Sequence, residues 1–532
     1  MKQSSLPRFA FLLAFLLAVA ILFFQLPSFA RGMKSSLQAS PPSAAHPPKL
    51  VLTIVIDQFR ADTLLRWRDR FVSGGFRRLM DQGAVYPFAQ YPVLQNMTCP
   101  GHSMILTGSV PAQNHIPLND WYDPKLKKTT YCVDDDKDGI SPRRLEGDTL
   151  GDEMKLHWSE SKVVTVSFKD RAAVMLGGHA ADAAYWFNDE TLKFESSSYY
   201  RNRSGEMDSF VPKSLPALGT ELIWKNSKGS RNFEHKMKWG TKEGFSNPIT
   251  LDLTLAATEK ALEIHHLGQH STPDLLAVSL STHDFIGHRY GPDSAEVEDL
   301  TLYEDLLLAQ LFKIVEKRVP GGMKNVWVMF TADHGASPLA EHAIEVGLEA
   351  GRISQKDHVK ELNAQLAQAF GACADGWVAG YKSFNFYYSP ACLQSIGAKK
   401  VEMEKEAIRL IKTWPGVAEV FSRTQFDNAH YPANWESALK KSYVPGISGD
   451  LVLIPRPFWY EADGAPSTHM TSYNYDRSVP LVLMGSAFKK GVYSTPAQVI
   501  DAAPTLAFAL RILAPSLSEG RVLSEIIVPE RL

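Results

Sequence analysis

Six short apolar runs, rich in β-branched residues, recur along the chain: residues 51–56 (VLTIVI), 163–168 (VVTVSF), 275–280 (LLAVSL), 326–331 (VWVMFT), 451–454 (LVLI) and 481–484 (LVLM). Continuous apolarity, rather than alternation, marks a strand covered on both faces, which is the condition of a parallel sheet. Between the runs, residues 61–70, 149–158, 253–265 and 295–318 place apolar side chains three and four apart, as the single buried stripe of a helix requires. Strand and helix in alternation predict an α/β fold, a doubly wound and mostly parallel sheet with helices on both faces. In such sheets ligands gather beyond the carboxyl ends of the strands. The residues that follow each run are therefore the first place to look for chemistry.

Not all of the 532 residues fit the alternation. Lys2 and Arg8 precede an apolar run at 9–24, and Ser28, Phe29 and Ala30 offer a small-x-small cleavage site, so residues 1–30 read as a secretory signal peptide. The run falls just short of the ~17 to 25 residues that span a bilayer, and an uncleaved anchor is the alternative. Residues 31–48 are rich in Pro, Ser and Ala and read as a flexible leader, leaving one catalytic domain from 49 to 532. Within it, the polar, aromatic stretch 172–247 is expected to form a surface insertion. Residues 340–450, with a helix expected at 401–413, are expected to form a small α+β cap. The 56 basic and 58 acidic residues balance to −2, and 45% of the chain is hydrophobic, which excludes a disordered chain or a nucleic-acid coat. The expected protein is exported, periplasmic or secreted, and monomeric.

Three strand ends supply Asp or His. Asp57 follows the first run, Asp284 and His288 lie in S-T-H-D-F-I-G-H after the third, and Asp333 and His334 lie in A-D-H-G after the fourth. A spacing of four can put Asp284 and His288 on one side of a turn, and nitrogen with carboxylate ligands suits Zn²⁺. A lone Asp at a strand end is usually a helix cap; three such ends together argue for a site. Thr98 stands in N-M-T-C-P-G-H-S-M-I-L-T-G, where Pro100 and Gly101 can open a short helix and Gly108 can close it. A helix N-terminus there would favour an alkoxide or a phosphate, whereas a bare threonine cap would carry no chemistry.

Taken together, V-I-D at Asp57, T-C-P-G-H-S at Thr98, L-N-D at Asn119, F-K-D-R at Lys169 and Arg171, T-H-D-F-I-G-H, A-D-H-G and S-T-H at His469 resemble the alkaline phosphatase superfamily. The resemblance is to its secreted, phosphate-irrepressible type with a threonine nucleophile, related to the type I phosphodiesterases and nucleotide pyrophosphatases. It implies two Zn²⁺ per chain, one held by Asp284, His288 and His469 and the other by Asp57, Asp333 and His334 with Thr98. His469 is singled out by the resemblance alone. Also implied are hydrolysis of small phosphate monoesters through a phosphothreonine, and Asn119, Lys169 and Arg171 as holders of the non-bridging oxygens. A phosphodiesterase is the near alternative, and a zinc-binding surface protein without turnover the distant one. A sulfatase is disfavoured, because its nucleophile motif would need Cys or Ser at the place of Thr98, and its Arg is missing.

Weaker signals surround these motifs. Asp134, Asp136, Asp138 and Gly139 match the opening of a calcium loop, but the acidic twelfth position is Leu145, so a solvated turn is expected, with Ca²⁺ as the alternative. The sequon Asn96-Met97-Thr98 would put a glycan beside the nucleophile and is expected to stay unmodified. His265, His266 and His270 are expected at a helix end on the surface. Cys99 with Cys132, and Cys373 with Cys392, are candidate disulfides that the exported compartment would permit; the sequence does not fix the connectivity.

Overall fold

The computed structural model describes residues 47–529 apart from 432, 433 and 463. The expected signal peptide, and the leader as far as residue 46, lie outside the described residues.

A nine-stranded sheet carries the fold. Its strands in chain order are β1 (Leu50–Ile56), β2 (Ala84–Gln90), β3 (Val163–Ser167), β4 (Ala183–Asn188), β5 (Lys193–Glu195), β6 (Asp274–Leu280), β7 (Val326–Thr331), β8 (Ser478–Met484) and β9 (Gly491–Val492). Across the sheet the order is β9-β2-β8-β7-β1-β6-β3-β4-β5. The five strands β7, β1, β6, β3 and β4 are mutually parallel. Every residue of β1, β6 and β7 is buried, as their unbroken apolar sequence demands. Register then does the positioning: Ile56 pairs with Leu280, and Val55 with Thr331, so the three strands end level with one another. Whatever follows them must meet above the middle of the sheet.

The helices that matter for the site are α1 (Thr98–Thr107), α2 (Asp170–Gly177), α3 (Ile249–Ile264), α4 (Thr282–Tyr290) and α5 (Ala295–Arg318). Helix α1 ends at Gly108, whose φ of 65° is the left-handed cap that glycine takes at no steric cost. The helix expected at 61–70 shortens to one turn, Thr63–Arg66, followed by a 3₁₀ turn.

Four expectations need correction. Residues 481–484 do form a central strand, but β8 runs antiparallel to β7 and β2, because the chain re-enters the sheet from loops already at its carboxyl edge. Residues 451–454 belong to a second sheet of four antiparallel strands, in the order Val378–Lys382, Asn385–Tyr388, Leu451–Pro455, Val417–Ser422. Leu451 and Leu453 pack into that sheet's own core, while Val452 and Ile454 face a separate cluster with Leu94 and Tyr443. Both faces are covered, so the run has the sequence of a central strand. Within the expected surface insertion, 183–195 supplies β4 and β5 of the main sheet, and the part outside it includes the hairpin Glu221–Lys225 with Glu234–Lys238. His265 is buried rather than on the surface, its Nε2 lying 2.9 Å from the Tyr185 hydroxyl, and burial lowers its pKa to about 4. Cys99 is joined to Cys132, and Cys373 to Cys392. No helix among the described residues is long and apolar enough to cross a membrane.

Candidate active site

The level ends of β1, β6 and β7 bring two groups of side chains together. Asp57, Asp333 and His334 form one, and Asp284, His288 and His469 the other, with the ligand atoms in each within 4.8 Å of one another. The groups adjoin: the rings of His334 and His469 stack with centroids 3.6 Å apart, and Lys169 Nζ reaches Asp57 Oδ2 at 2.6 Å and Asp284 Oδ2 at 2.5 Å.

Each histidine is oriented from behind. Nδ1 of His288 lies 2.7 Å from the Ser467 carbonyl, that of His469 lies 2.7 Å from the Asn96 carbonyl, and that of His334 lies 2.9 Å from the Gly335 carbonyl. Donating the Nδ1 proton to a carbonyl leaves Nε2 as the lone-pair nitrogen, which is how metal-binding imidazoles are fixed. Nε2 of His334 is 3.4 Å from Asp57 Oδ1 and 3.4 Å from Asp333 Oδ2. All three of these atoms are buried without a hydrogen-bond partner. Leaving such groups unsatisfied costs roughly 1 to 3 kcal/mol each, more when charged, and a divalent cation placed among them would satisfy all three at once. The donor set of this group therefore fits a metal.

The electrostatics agree. Burial, then Asp284 and Asp333, push the Asp57 carboxyl well above its usual range. Burial also acts to raise Asp284, but His288 and Lys169 outweigh it and hold the group well below that range. One carboxylate thus carries the strain of its neighbours while the other is stabilised. Burial lowers His334, and burial with His334 and His288 lowers His469 further, which favours the neutral ring a metal needs, whereas at His288 burial is outweighed by Asp284, which raises it.

Thr98 is the first residue of α1 and is almost fully buried. The helix opens against the first group. A Cβ added at Gly101 would lie 2.5 Å from the Asp333 carbonyl oxygen, and His102 Nδ1 is 3.1 Å from Asp333 Oδ2. Only glycine lets the first turn come this near, and the Gly101 N–H is itself held by the Met97 carbonyl at 2.8 Å. Asn119 Oδ1 accepts the Cys99 N–H at 2.7 Å, which leaves the two N–H donors of its amide for other work. Arg171 Nη1 donates to the Tyr131 hydroxyl at 3.2 Å. Lys169 serves the carboxylates of both groups directly, a role that the sequence did not suggest.

A cleft of about 700 Å³ opens beside Lys169 and Arg171 over a floor of Phe168, Phe187, Phe245 and Phe285. Another, of about 570 Å³, lies against His288 and shares Lys242 and Phe285 with the first.

One residue of the site escapes the sequence reading. Gln58 donates from its N–H to Asp333 Oδ1 at 3.1 Å and from Nε2 to Asp284 Oδ1 at 2.7 Å, so it ties the two groups together. Its φ of 69° is unusual for a residue with a Cβ, and such strain persists where the surroundings over-determine it. Only its place next to Asp57 hinted at it. Around Asp134, Asp136 and Asp138 the chain makes the expected turn, between Asp134–Asp135 and Gly139–Ile140. Arg143 takes Asp138 Oδ2 at 2.7 Å and Asp135 Oδ2 at 2.6 Å, Asp134 caps the Tyr131 N–H, and Asp136 is exposed. Asn96 is fully buried with Nδ2 on the Thr471 carbonyl, so the folded chain cannot carry a glycan there.

Comparison with known proteins gives this geometry its context. The family model for type I phosphodiesterase / nucleotide pyrophosphatase matches residues 51–474. Alkaline phosphatase PafA of Elizabethkingia meningoseptica is 31% identical, over 92% of this chain and 96% of its own. Alkaline phosphatase PhoV of Synechococcus elongatus is 29% identical over 96% of this chain and 98% of its own. The crystal structure of PafA superposes with a TM-score of 0.82 at 29% identity, covering 91% of this chain and 100% of that one. The chain belongs to the type I phosphodiesterase / nucleotide pyrophosphatase family, within the alkaline phosphatase superfamily.

Proposed function

We propose that the chain is an alkaline phosphatase, a phosphoric monoester hydrolase that works with two Zn²⁺ and forms a phosphothreonine at Thr98. The observation that carries the reading is the meeting, above β1, β6 and β7, of two Asp/His groups beside the buried N-terminus of α1. It is supported by the relatives named alkaline phosphatase at 29 to 31% identity.

Asp57, Asp333 and His334 would hold one cation and Asp284, His288 and His469 the other. Bound there, the pair would supply positive charge where the attacking and leaving oxygens of a phosphoryl group pass. Thr98 is the nucleophile: its hydroxyl oxygen bonds to phosphorus in line as the bond to the ester oxygen breaks and its proton ends on the departing alcohol, and the dipole at the N-terminus of α1 favours the charge that gathers there. Water then bonds to phosphorus from the side that the alcohol left as the bond to the Thr98 oxygen breaks, its proton returning to Thr98 and inorganic phosphate departing. Two inversions give net retention at phosphorus. Asn119 and Arg171 hold the non-bridging oxygens, the guanidinium offering paired donors. Lys169 adds a compact positive charge between the two ligand groups and beside the transferring phosphoryl. Small phosphate monoesters are the substrates, and the enzyme acts as a monomer. The basic start and apolar run at 1–30, with two disulfides, support export to the periplasm or beyond.

The test is initial rates on a monoester, a diester and a sulfate ester, with metal content measured on the same sample. The monoester should dominate, and Thr98→Ala should abolish the trapped phosphoenzyme while keeping the fold. A diester preference would make the chain a phosphodiesterase on the same scaffold.

A further inference from the structure

The hairpin formed by Asp120–Asp123 and Lys128–Tyr131 is small, but its base touches the site three times. Asn119, just before it, accepts the Cys99 N–H through its side chain and the Cys132 N–H, at 2.9 Å, through its carbonyl. Cys132, just after it, is bonded covalently to Cys99, the neighbour of Thr98. Tyr131, the last residue of the hairpin, accepts from Arg171 Nη1 at 3.2 Å and donates to Asp170 Oδ1 at 2.6 Å. That carboxylate oxygen also receives the Arg171 backbone N–H at 2.6 Å.

We propose that Tyr131 is a positioning residue for Arg171, holding the guanidinium in register with Thr98 through the Cys99–Cys132 bridge. The inference rests on the reading of Arg171 as a phosphate ligand. Arginine has four side-chain torsions to settle, and a fork fixed before substrate arrives loses less freedom on binding. The phenol supplies that restraint. Its own place is fixed on one side by the Asp170 carboxylate and on the other by Cys132, the next residue in the chain. Burial pushes the phenol above its ordinary range, so it remains a donor to Asp170 in alkaline solution. The hydroxyl's partners are Arg171 and Asp170 rather than any of the six Asp and His residues, so its effect should reach the reaction through Arg171 alone.

The experiment is a double-mutant cycle of Tyr131→Phe and Arg171→Ala in the full chain, read as kcat/KM for a monoester and a diester, as competitive inhibition by inorganic phosphate, and as melting temperature. Tyr131→Phe removes one oxygen, and the melting temperature with a count of free thiols reports whether fold and bridge survive. Loss of one hydrogen bond to a charged group corresponds to roughly a 10-fold fall or more. Monoester kcat/KM and phosphate affinity should therefore fall about 10-fold in Tyr131→Phe, and diester kcat/KM by less than about 2-fold. In the Arg171→Ala background the same change should have almost no further effect, which a merely structural tyrosine would not show. If Arg171→Ala is impaired on the monoester but Tyr131→Phe is not, or if the two effects simply multiply, the positioning role is wrong while the phosphatase reading stands. If Arg171→Ala leaves monoester turnover and phosphate affinity intact, Arg171 is not a phosphate ligand and both ideas fall.

Discussion

The two Asp/His groups share a boundary but not an environment. Asp57, Asp333 and His334 are wholly buried, and three of their polar atoms have no hydrogen-bond partner. In the other group Asp284 is bound by Gln58 and Lys169 and lies 3.1 Å from His288, whose side chain is 26% exposed and lines the cleft of about 570 Å³. The first group is closed around one point next to the N-terminus of α1. The group at Asp284 opens outward onto that cleft. Burial strengthens electrostatic interactions and excludes competing ligands, while exposure allows exchange. The contrast suggests a division of labour between holding the nucleophile and serving the leaving group.

The largest expected effect comes from removing metal, which strikes both groups. Chelation should abolish monoester turnover, and Zn²⁺ should restore it together with metal content; full activity in a zinc-free preparation would end the two-metal reading. Separate truncations sharpen the contrast. His334→Ala and His288→Ala should each cost at least about 10² in kcat/KM, the scale of losses seen on disturbing metal surroundings. Added imidazole should recover activity in His288→Ala, whose gap opens on the cleft, and not in His334→Ala, whose gap is sealed. Equal rescue, read as rate against imidazole concentration, would erase the distinction.

A smaller effect should follow from Asn119→Ala with Arg171→Ala. Each hydrogen bond to a charged group is worth ~1.5 to 3 kcal/mol, so the pair should lower monoester kcat/KM on the order of 10² to 10⁴ and diester kcat/KM far less. Lys169 is left out because it binds Asp57 and Asp284, so its loss should injure both activities together.

The smallest effect concerns Asp476, which belongs to both groups' supports. It accepts from Ser337 Oγ at 3.2 Å, three residues past His334, and from the Thr471 N–H at 2.9 Å, two past His469. Burial pushes its carboxyl from an ordinary 3.8 up to about 7. Between those values the folded chain binds a proton that the unfolded chain has released, so stability falls as pH rises through that window. Asp476→Asn should flatten the dependence of melting temperature on pH across that same window relative to the parent. Parallel curves would show that the carboxyl does not titrate there.

Much of this site could be read from sequence because its residues sit at strand ends, where a local apolar run announces the position of the next polar side chain. Asp57, Asp284, His288, Asp333 and His334 all follow such runs. His469 follows none: it lies on the stretch of chain between the short strand Trp459–Glu461 and β8, and only the family resemblance singled it out. Tyr131 carried no signal and Gln58 only its place beside Asp57, since their partners lie 40 and 226 residues away in the chain.

By itself the sequence determined which segments are buried on both faces and where their polar ends lie, because burial is written into local composition. It did not determine that 451–454 joins the smaller sheet, that β8 runs backwards, or that Lys169 stands between two carboxylates. Those follow from which covered surface each segment meets, and a strand buried in the smaller sheet has the same apolar run as one buried in the main sheet. Tertiary contact also decided the chemistry of identical side chains: burial, then Asp284 and Asp333, move the Asp57 carboxyl up, while at Asp284 burial is outweighed by His288 and Lys169, which move it down.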